Sequence, residues 1–383
     1  MHRRSFLQGT VALALVQVLV GCNGNKQAKL SIQLLKGSIP AQVVDRFRQY
    51  LQQGVQLKFA PVEQLQDLFQ ELKTWHNQAQ TSDRGKGWSV PMPFGSSEKA
   101  AVADLVTLGD YWLKTAIEQK LIQPLEVGQL KQWSALPQRW QELVRRNEQG
   151  YLDAKGKIWA APYRWGSTVI VYRRDKFREL GWTPTDWSDL WRSELRDRIS
   201  LLNHPREVIG LVLKKLGKSY NTENLNAIAN LEGELRTLNQ QVKFYDSTKY
   251  LEPLIIGDTW LAVGWSNDVL PTIGRYPQLR AVIPRSGTAL WSDVWVKPAG
   301  INEGDLAYKW IDFCWQPNVT ELISVLTKTN SPIPTKIKAS DIQQPLRNLL
   351  LNNNEIIAKS EFLLPLPPAV ASQYESLFAK IKS

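Results

Sequence analysis

Apolar residues recur along this chain with two periods, and the periods alternate. Residues 30–35 read as a strand. Val43, Val44, Phe47, Tyr50 and Leu51 then share one face of a helix over 41–53, and 55–59 alternates as a strand again. Strand, helix and strand within about 30 residues form a βαβ unit, which favours a mostly parallel sheet. A second amphipathic helix is predicted over 62–77, with Leu65, Leu68, Phe69, Leu72 and Trp75 on one side. Over 78–99, Gly, Pro and Ser interrupt any period and predict a surface loop. A short buried strand follows at 103–108 and a helix at 111–120. Residues 157–162 and 168–172 are expected to pair as strands around Tyr163-Arg164-Trp165-Gly166. Beyond them the pattern predicts helices at 186–192, 205–216 and 223–241, and strands at 198–203, 242–245, 260–265 and 289–296. Pro205 suits a first helical turn, where its missing N–H costs nothing. A helix at 305–315 turns Leu306, Trp310 and Phe313 inward. The alternation predicts an α/β architecture, and 383 residues exceed the roughly 100–200 of one domain, so two lobes are expected.

The N-terminus reads as a leader rather than as part of the fold. Arg3 and Arg4 precede an apolar stretch over 9–21, shorter than the about 20 residues a membrane-spanning helix needs. Leu19-Val20-Gly21-Cys22 resembles a lipobox, in which Cys22 is lipidated and becomes the first residue of the mature chain. Arg3-Arg4-Ser5-Phe6-Leu7 resembles a twin-arginine export signal, although general secretion stays open. Residues 1–22 are therefore expected to be a signal peptide and 23–29 a polar tether. These features predict a chain held by lipid to a membrane of the cell envelope, on the periplasmic side.

Composition narrows the chemistry. With Cys22 assigned to lipid, Cys314 stands alone within Lys309-Trp310-Ile311-Asp312-Phe313-Cys314-Trp315, where it reads as core packing, because a reactive thiol needs a histidine partner. The formal charge of +11 raises the question of nucleic acid. The basic residues are scattered, and export argues against that partner, so a face toward anionic lipid is the milder reading. The mature chain has only His76 and His204, and no zinc, phosphate-loop or nucleophile-elbow motif occurs. No cofactor and no enzymatic role are expected.

Four segments carry a family resemblance. They are Ile158-Trp159-Ala160-Ala161-Pro162-Tyr163-Arg164-Trp165-Gly166-Ser167-Thr168, Thr185-Asp186-Trp187-Ser188-Asp189-Leu190-Trp191, Pro205-Arg206-Glu207-Val208 running to Leu213-Lys214-Lys215-Leu216-Gly217, and Leu290-Trp291-Ser292-Asp293-Val294-Trp295-Val296-Lys297-Pro298-Ala299. In order and spacing the chain resembles the bacterial spermidine/putrescine-binding proteins, the solute-binding components of ABC importers. The resemblance implies a two-lobed periplasmic-binding-protein fold, each lobe a mixed sheet flanked by helices. Lobe 1 is expected over 30–166 with part of 294–340, and lobe 2 over 167–293 with part of 341–383. A hinge near 166–168 and near Asp293 would let the lobes close on a ligand.

The same resemblance implies a monomer that captures a small organic cation, polyamine-like, for importer membrane subunits. It assigns Glu207, Trp265, Trp291 and Asp293 to one cationic end of the ligand. Each also has a plainer reading: a first-turn glutamate for Glu207, core packing for the two tryptophans, a strand-end turn for Asp293. Three positions depart from the family. His204 replaces an aspartate, Lys36 stands where an acid is expected and would repel a second ammonium, and Asp110 either replaces a lost acid or caps a helix. A ligand with one cationic end and a neutral or anionic other end suits Lys36 and His204 better. Alternatives are Fe(III) held by tyrosines such as Tyr111, Tyr163, Tyr172 and Tyr245, an amino-acid-like amine, an exported hydrolase, or an assembly lipoprotein without ligand.

Overall fold

The computed structural model describes residues 28–52, 54–84, 102–301, 304–338, 340, 342, 344, 346–350 and 354–383. The leader with its lipidation candidate Cys22, most of the tether and residues 85–99 of the expected loop lie outside the described residues. Eleven strands build the main sheet among the described residues, nine of them being β1 (Ala28–Leu35), β2 (Val55–Val62), β3 (Leu105–Gly109), β4 (Ala161–Arg173), β5 (Ile199–Leu201), β6 (Val242–Tyr245), β7 (Leu261–Trp265), β8 (Leu279–Val282) and β9 (Ala289–Pro298), and the other two the two-residue strands Ile122–Gln123 and Glu361–Phe362 on β9. Their order is β2-β1-β3-β9-β4-β7-β5-β6, with β8 also paired to β4. The pairs β2–β1, β1–β3, β7–β5 and β5–β6 are parallel, as the βαβ pattern requires, and in this order β9 and β4 run antiparallel to their neighbours.

One long strand replaces the expected hairpin at 157–172. Residues 157–158 instead pair with 145–146, and β4 runs unbroken through Tyr163-Arg164-Trp165-Gly166. A turn there would have left backbone groups unpaired in a buried stretch. Residues 161–167 of β4 pair with β9, whereas 168–172 pair with β7. The chain thus passes from one half of the sheet to the other at Ser167–Thr168.

The apolar core divides at the same place. One cluster gathers residues from Leu30 to Trp165 with Leu290–Ile333, and its aromatic centre sets Phe47 edge-on to Trp310 at 4.9 Å and stacks Tyr163 on Trp295 at 4.3 Å. Two further clusters draw on Val169–Ala289 and on the last third of the chain. Cys314 is buried in the first core and unpaired with any other cysteine.

Several elements differ in extent from the periodic pattern. The second helix occupies Leu65–Arg84, so 78–84 is helical rather than loop, and β2 continues to Val62. The helix expected over 223–241 is a short turn at Leu225–Ala227 and a helix at Leu231–Asn239, separated by Asn230 at φ +57°. Asparagine tolerates that left-handed conformation, which ends any continuous helix. The helices at 111–120 and 186–192 are partly or wholly 3₁₀: Asp110–Trp112 leads into Leu113–Glu118, and Trp187–Trp191 is a single 3₁₀ segment. Strand β1 begins at Ala28, inside the expected tether. The helix Arg174–Leu180 ends at Gly181, whose φ of +76° suits a residue without Cβ.

Candidate ligand-binding site

The central pair β4–β9 sets up the site through its register. Trp291 lies opposite Gly166, and Asp293 lies opposite Arg164. Side chains two apart in a strand share a face, so Arg164, Gly166, Thr168, Trp291 and Asp293 line one side of the ribbon. Strand β7 continues that face with Trp265 opposite Thr168. Gly166 is required by packing: a Cβ there would stand 2.2 Å from Ser266 Oγ and 2.3 Å from Trp291 Cζ2. The indole of Trp291 therefore sits on bare backbone, and its N–H is buried with no partner among the described residues.

Glu207 enters from the helix Pro205–Lys215. Pro205 opens that helix, Glu207 lies in its first turn and Lys214 and Lys215 in its last, a charge order that complements the helix dipole. Glu207 is 4% exposed. Its carboxylate accepts hydrogen bonds from Thr168 Oγ1 at 3.0 and 3.1 Å and from the Trp265 indole at 3.0 Å. It forms no ion pair among the described residues. Burial pushes its pKa up against the opposing pull of those hydrogen bonds and of the neighbouring Arg206 charge. Arg206 itself is spent elsewhere, donating to the carbonyls of Leu364 and Tyr220 and to Asn221.

Asp293 is placed differently. It is 2% exposed and receives Arg164 Nε at 2.6 Å, and the 4%-exposed Arg164 closes a buried cross-strand ion pair. Arg164 was not among the residues expected to matter. Asp268, in the first turn of the helix Ser266–Arg275, was also missed. It accepts the Tyr250 hydroxyl at 2.9 Å and feels the charges of Arg164 and Asp293. Burial raises the pKa of both Asp293 and Asp268.

Asp110 is buried and does not cap a helix. Its carboxylate accepts the Ser292 backbone N–H at 2.9 Å, and Gly109 occupies the cap position. Burial pushes its pKa up to about 7, opposed by that hydrogen bond and by the Arg146 charge. The next residue, Tyr111, stands edge-on to the His204 imidazole at 5.1 Å, bringing the turn after β3 against the start of the Glu207 helix. Burial and Arg206 lower the His204 pKa to about 4, so at neutral pH it is uncharged and repels no cation. Lys36 bonds Glu63 at 2.6 Å with its side chain 64% exposed, so its charge is compensated at the surface.

The structure thus brings Glu207, Trp265, Trp291 and Asp293 to one face, with Asp110 beside β9, one residue past β3. Among the described residues no group of three or more His, Cys, Asp and Glu is arranged to hold a metal ion. The tyrosines considered for iron are divided: Tyr163 belongs to the first core, while Tyr172 and Tyr245 pack on the second.

The family model described as bacterial extracellular solute-binding protein matches residues 100–356, about two thirds of the chain. The chain belongs to the bacterial extracellular solute-binding proteins. Within that family it is similar to the putrescine-binding periplasmic protein PotF of Escherichia coli strain K12, 26% identical over 84% of this chain and 82% of the relative. The spermidine/putrescine-binding periplasmic protein of Salmonella typhimurium is 26% identical over 74% of this chain and 79% of its own length. In fold, this solute-binding protein matches the substrate-binding protein PotD of the spermidine/putrescine ABC transporter from Streptococcus pneumoniae. The TM-score is 0.75 at 20% identity, covering 93% of this chain and 98% of that one. These neighbours are two-lobed, mixed α/β binding proteins, the architecture the sequence predicts. Among the described residues no helix is long and apolar enough to cross a membrane.

Proposed function

We propose that this solute-binding protein captures a small organic cation of the polyamine class outside the cytoplasm and presents it to the membrane subunits of an ABC importer. The observation that carries the reading is Glu207, a buried carboxylate held by a hydroxyl and an indole N–H and without an ion-pair partner among the described residues. An ionised carboxylate in that setting is costly until a cation arrives. An ammonium would gain roughly 1.5–3 kcal/mol from the charge-assisted hydrogen bond. Against the faces of Trp265 and Trp291 it would gain about 0.5–2 kcal/mol more once water is excluded. The relatives named for putrescine and spermidine support the same ligand class.

On this reading the β4–β9 ribbon is the hinge, the lobes are the two halves of the core, and the role is binding without turnover. The Cys22 lipid is the membrane anchor, and a Cys22→Ser chain that stays in the membrane fraction would remove that part of the proposal. The binding test is thermal unfolding of a chain beginning at Gly24 with putrescine, spermidine, cationic amino acids, thiamine or Fe(III). A ligand that binds only the folded state adds about 2.7 kcal/mol at a hundredfold excess over Kd, a shift of degrees. A shift with an amine and none with Fe(III) is expected. A shift with Fe(III) alone would refute the reading.

A further inference from the structure

A pocket of about 580 Å³ opens at the end of the sheet away from the candidate site. The first residues of β1 and β2 line it, with Asp104 just before β3 and Lys297 near the end of β9. Asp110, by contrast, follows the far end of β3. Lys297 lies four residues beyond Asp293 on β9, roughly 13 Å along the strand.

Two features of the pocket suit an anion. Lys297 is 2% exposed, and its ammonium has no hydrogen bond or ion pair among the described residues; the Tyr308 ring stands 5.7 Å away. A buried ammonium without a counter-ion is costly, and an entering anion relieves that cost. The second feature is the start of the helix Asp305–Cys314. Gly304 and the first turn of that helix line the pocket, and no side chain caps it. Its leading N–H groups and the positive end of its dipole are the donors a phosphate takes. The charged lining is Lys29, Lys297 and Lys309 against Asp104 and Asp305, one net positive charge. One oxygen of Asp104 is engaged by the Ser31 N–H at 2.7 Å, and the exposed Asp305 stands one helical turn from the exposed Lys309.

We propose that this pocket binds a phosphate group, with the Lys297 ammonium and the first amides of the Asp305–Cys314 helix as its donors. A soluble phosphate ester and the headgroup of an anionic lipid share that chemistry. Ala28, on the pocket wall, follows Cys22 by six residues, a reach of at most about 20 Å, so in a chain anchored through Cys22 the pocket opens within range of a membrane surface.

The test uses the chain beginning at Gly24, which keeps every described residue and carries no lipid. Its binding to phosphatidylcholine vesicles with and without phosphatidylglycerol is read by co-sedimentation, and its binding to glycerol phosphate by calorimetric titration. Binding in at least one arm is expected, and Lys297→Met should weaken it about tenfold or more. Lys218→Met removes the same charge from an exposed position in the other half of the core and should leave binding within about twofold of wild type. Gly304→Asp gives the helix a side-chain cap in the anion's place, where a Cβ meets no heavy atom within 4 Å. That variant should melt at or above wild type yet lose the phosphate, and it keeps the proposal testable should Lys297→Met fail to fold. Binding to vesicles but not to the ester assigns the headgroup as the source, and the reverse assigns a soluble ester; either supports the site. No phosphate binding in both arms, or a loss with Lys218→Met equal to that with Lys297→Met, would overturn the proposal. Amine binding at Glu207 is titrated separately, and its success or failure leaves this test unchanged.

Discussion

Glu207→Gln separates a ligand-binding carboxylate from a structural one, because the two roles predict opposite signs in two assays. Glutamine keeps one oxygen to accept the Trp265 indole, and its amide can donate to the Thr168 hydroxyl, so both local contacts survive without the charge. The lost interaction with a bound ammonium is the charge-assisted part, roughly 1.5–3 kcal/mol, which weakens binding roughly 10- to 150-fold. Stability without ligand moves the other way. Burial holds the Glu207 carboxyl above its ordinary range. The folded state then retains a proton that the unfolded chain has already released, so stability falls as pH rises through that interval. Glutamine removes this term, and the ligand-free variant should melt at or above wild type at pH 7–8, with the difference vanishing near pH 4. Calorimetric titration gives the affinity, and melting curves across pH give the stability. A variant that binds within about threefold of wild type and melts lower at pH 7 would refute the reasoning and return Glu207 to a helix-start role.

Three further outcomes are expected. Asp110→Asn keeps an acceptor for the Ser292 N–H but loses a carboxyl raised to about 7. Because that raised acid costs stability as pH climbs from its ordinary value toward 7, the variant should gain on wild type with rising pH, by several degrees in melting temperature at pH 8 and little at pH 4. Arg146 retains the Leu143 and Gly150 carbonyls in either case. Gly166→Ala forces a Cβ into the Trp291 ring and Ser266 Oγ, which should cost about 1–3 kcal/mol and weaken amine binding more than a comparable overpacking in the first core. Trp187→Ala empties a fully buried site and breaks the indole bond to the Gly287 carbonyl at 2.8 Å. It should cost about 3–5 kcal/mol by denaturant unfolding.

Much of the fold was legible because period and length are local properties. The first βαβ unit, the Pro205 helix and the strand that ends at Trp265 all lie where the apolar pattern puts them. The hairpin expected at 157–172 failed because Pro162 and Gly166 are turn residues in most contexts, whereas here both sit in a strand buried along most of its length. The 223–241 helix failed at a single left-handed asparagine that composition does not reveal. The Thr185–Trp191 segment, quoted for its family resemblance, has a structural task. Asp186 holds Ser286, and the Trp187 indole holds Gly287, just before β9 begins. That anchors the start of the strand which carries Trp291 and Asp293.

The site was half legible, and the missing half has one cause. The family resemblance singled out Glu207, Trp265, Trp291 and Asp293, but the partner of each depends on strand register across large separations. Arg164 and Asp293 lie 129 residues apart and become neighbours only when β4 pairs with β9. An arginine inside an apolar strand was the available signal, since a buried cation must be paired. Once the register is known, alternation alone puts Arg164 and Gly166 on the face shared with Trp291 and Asp293, and Tyr163 and Trp165 in the first core. The same ribbon joins the two halves of the core, so on the hinge reading any ligand that engages Trp291 and Glu207 spans both.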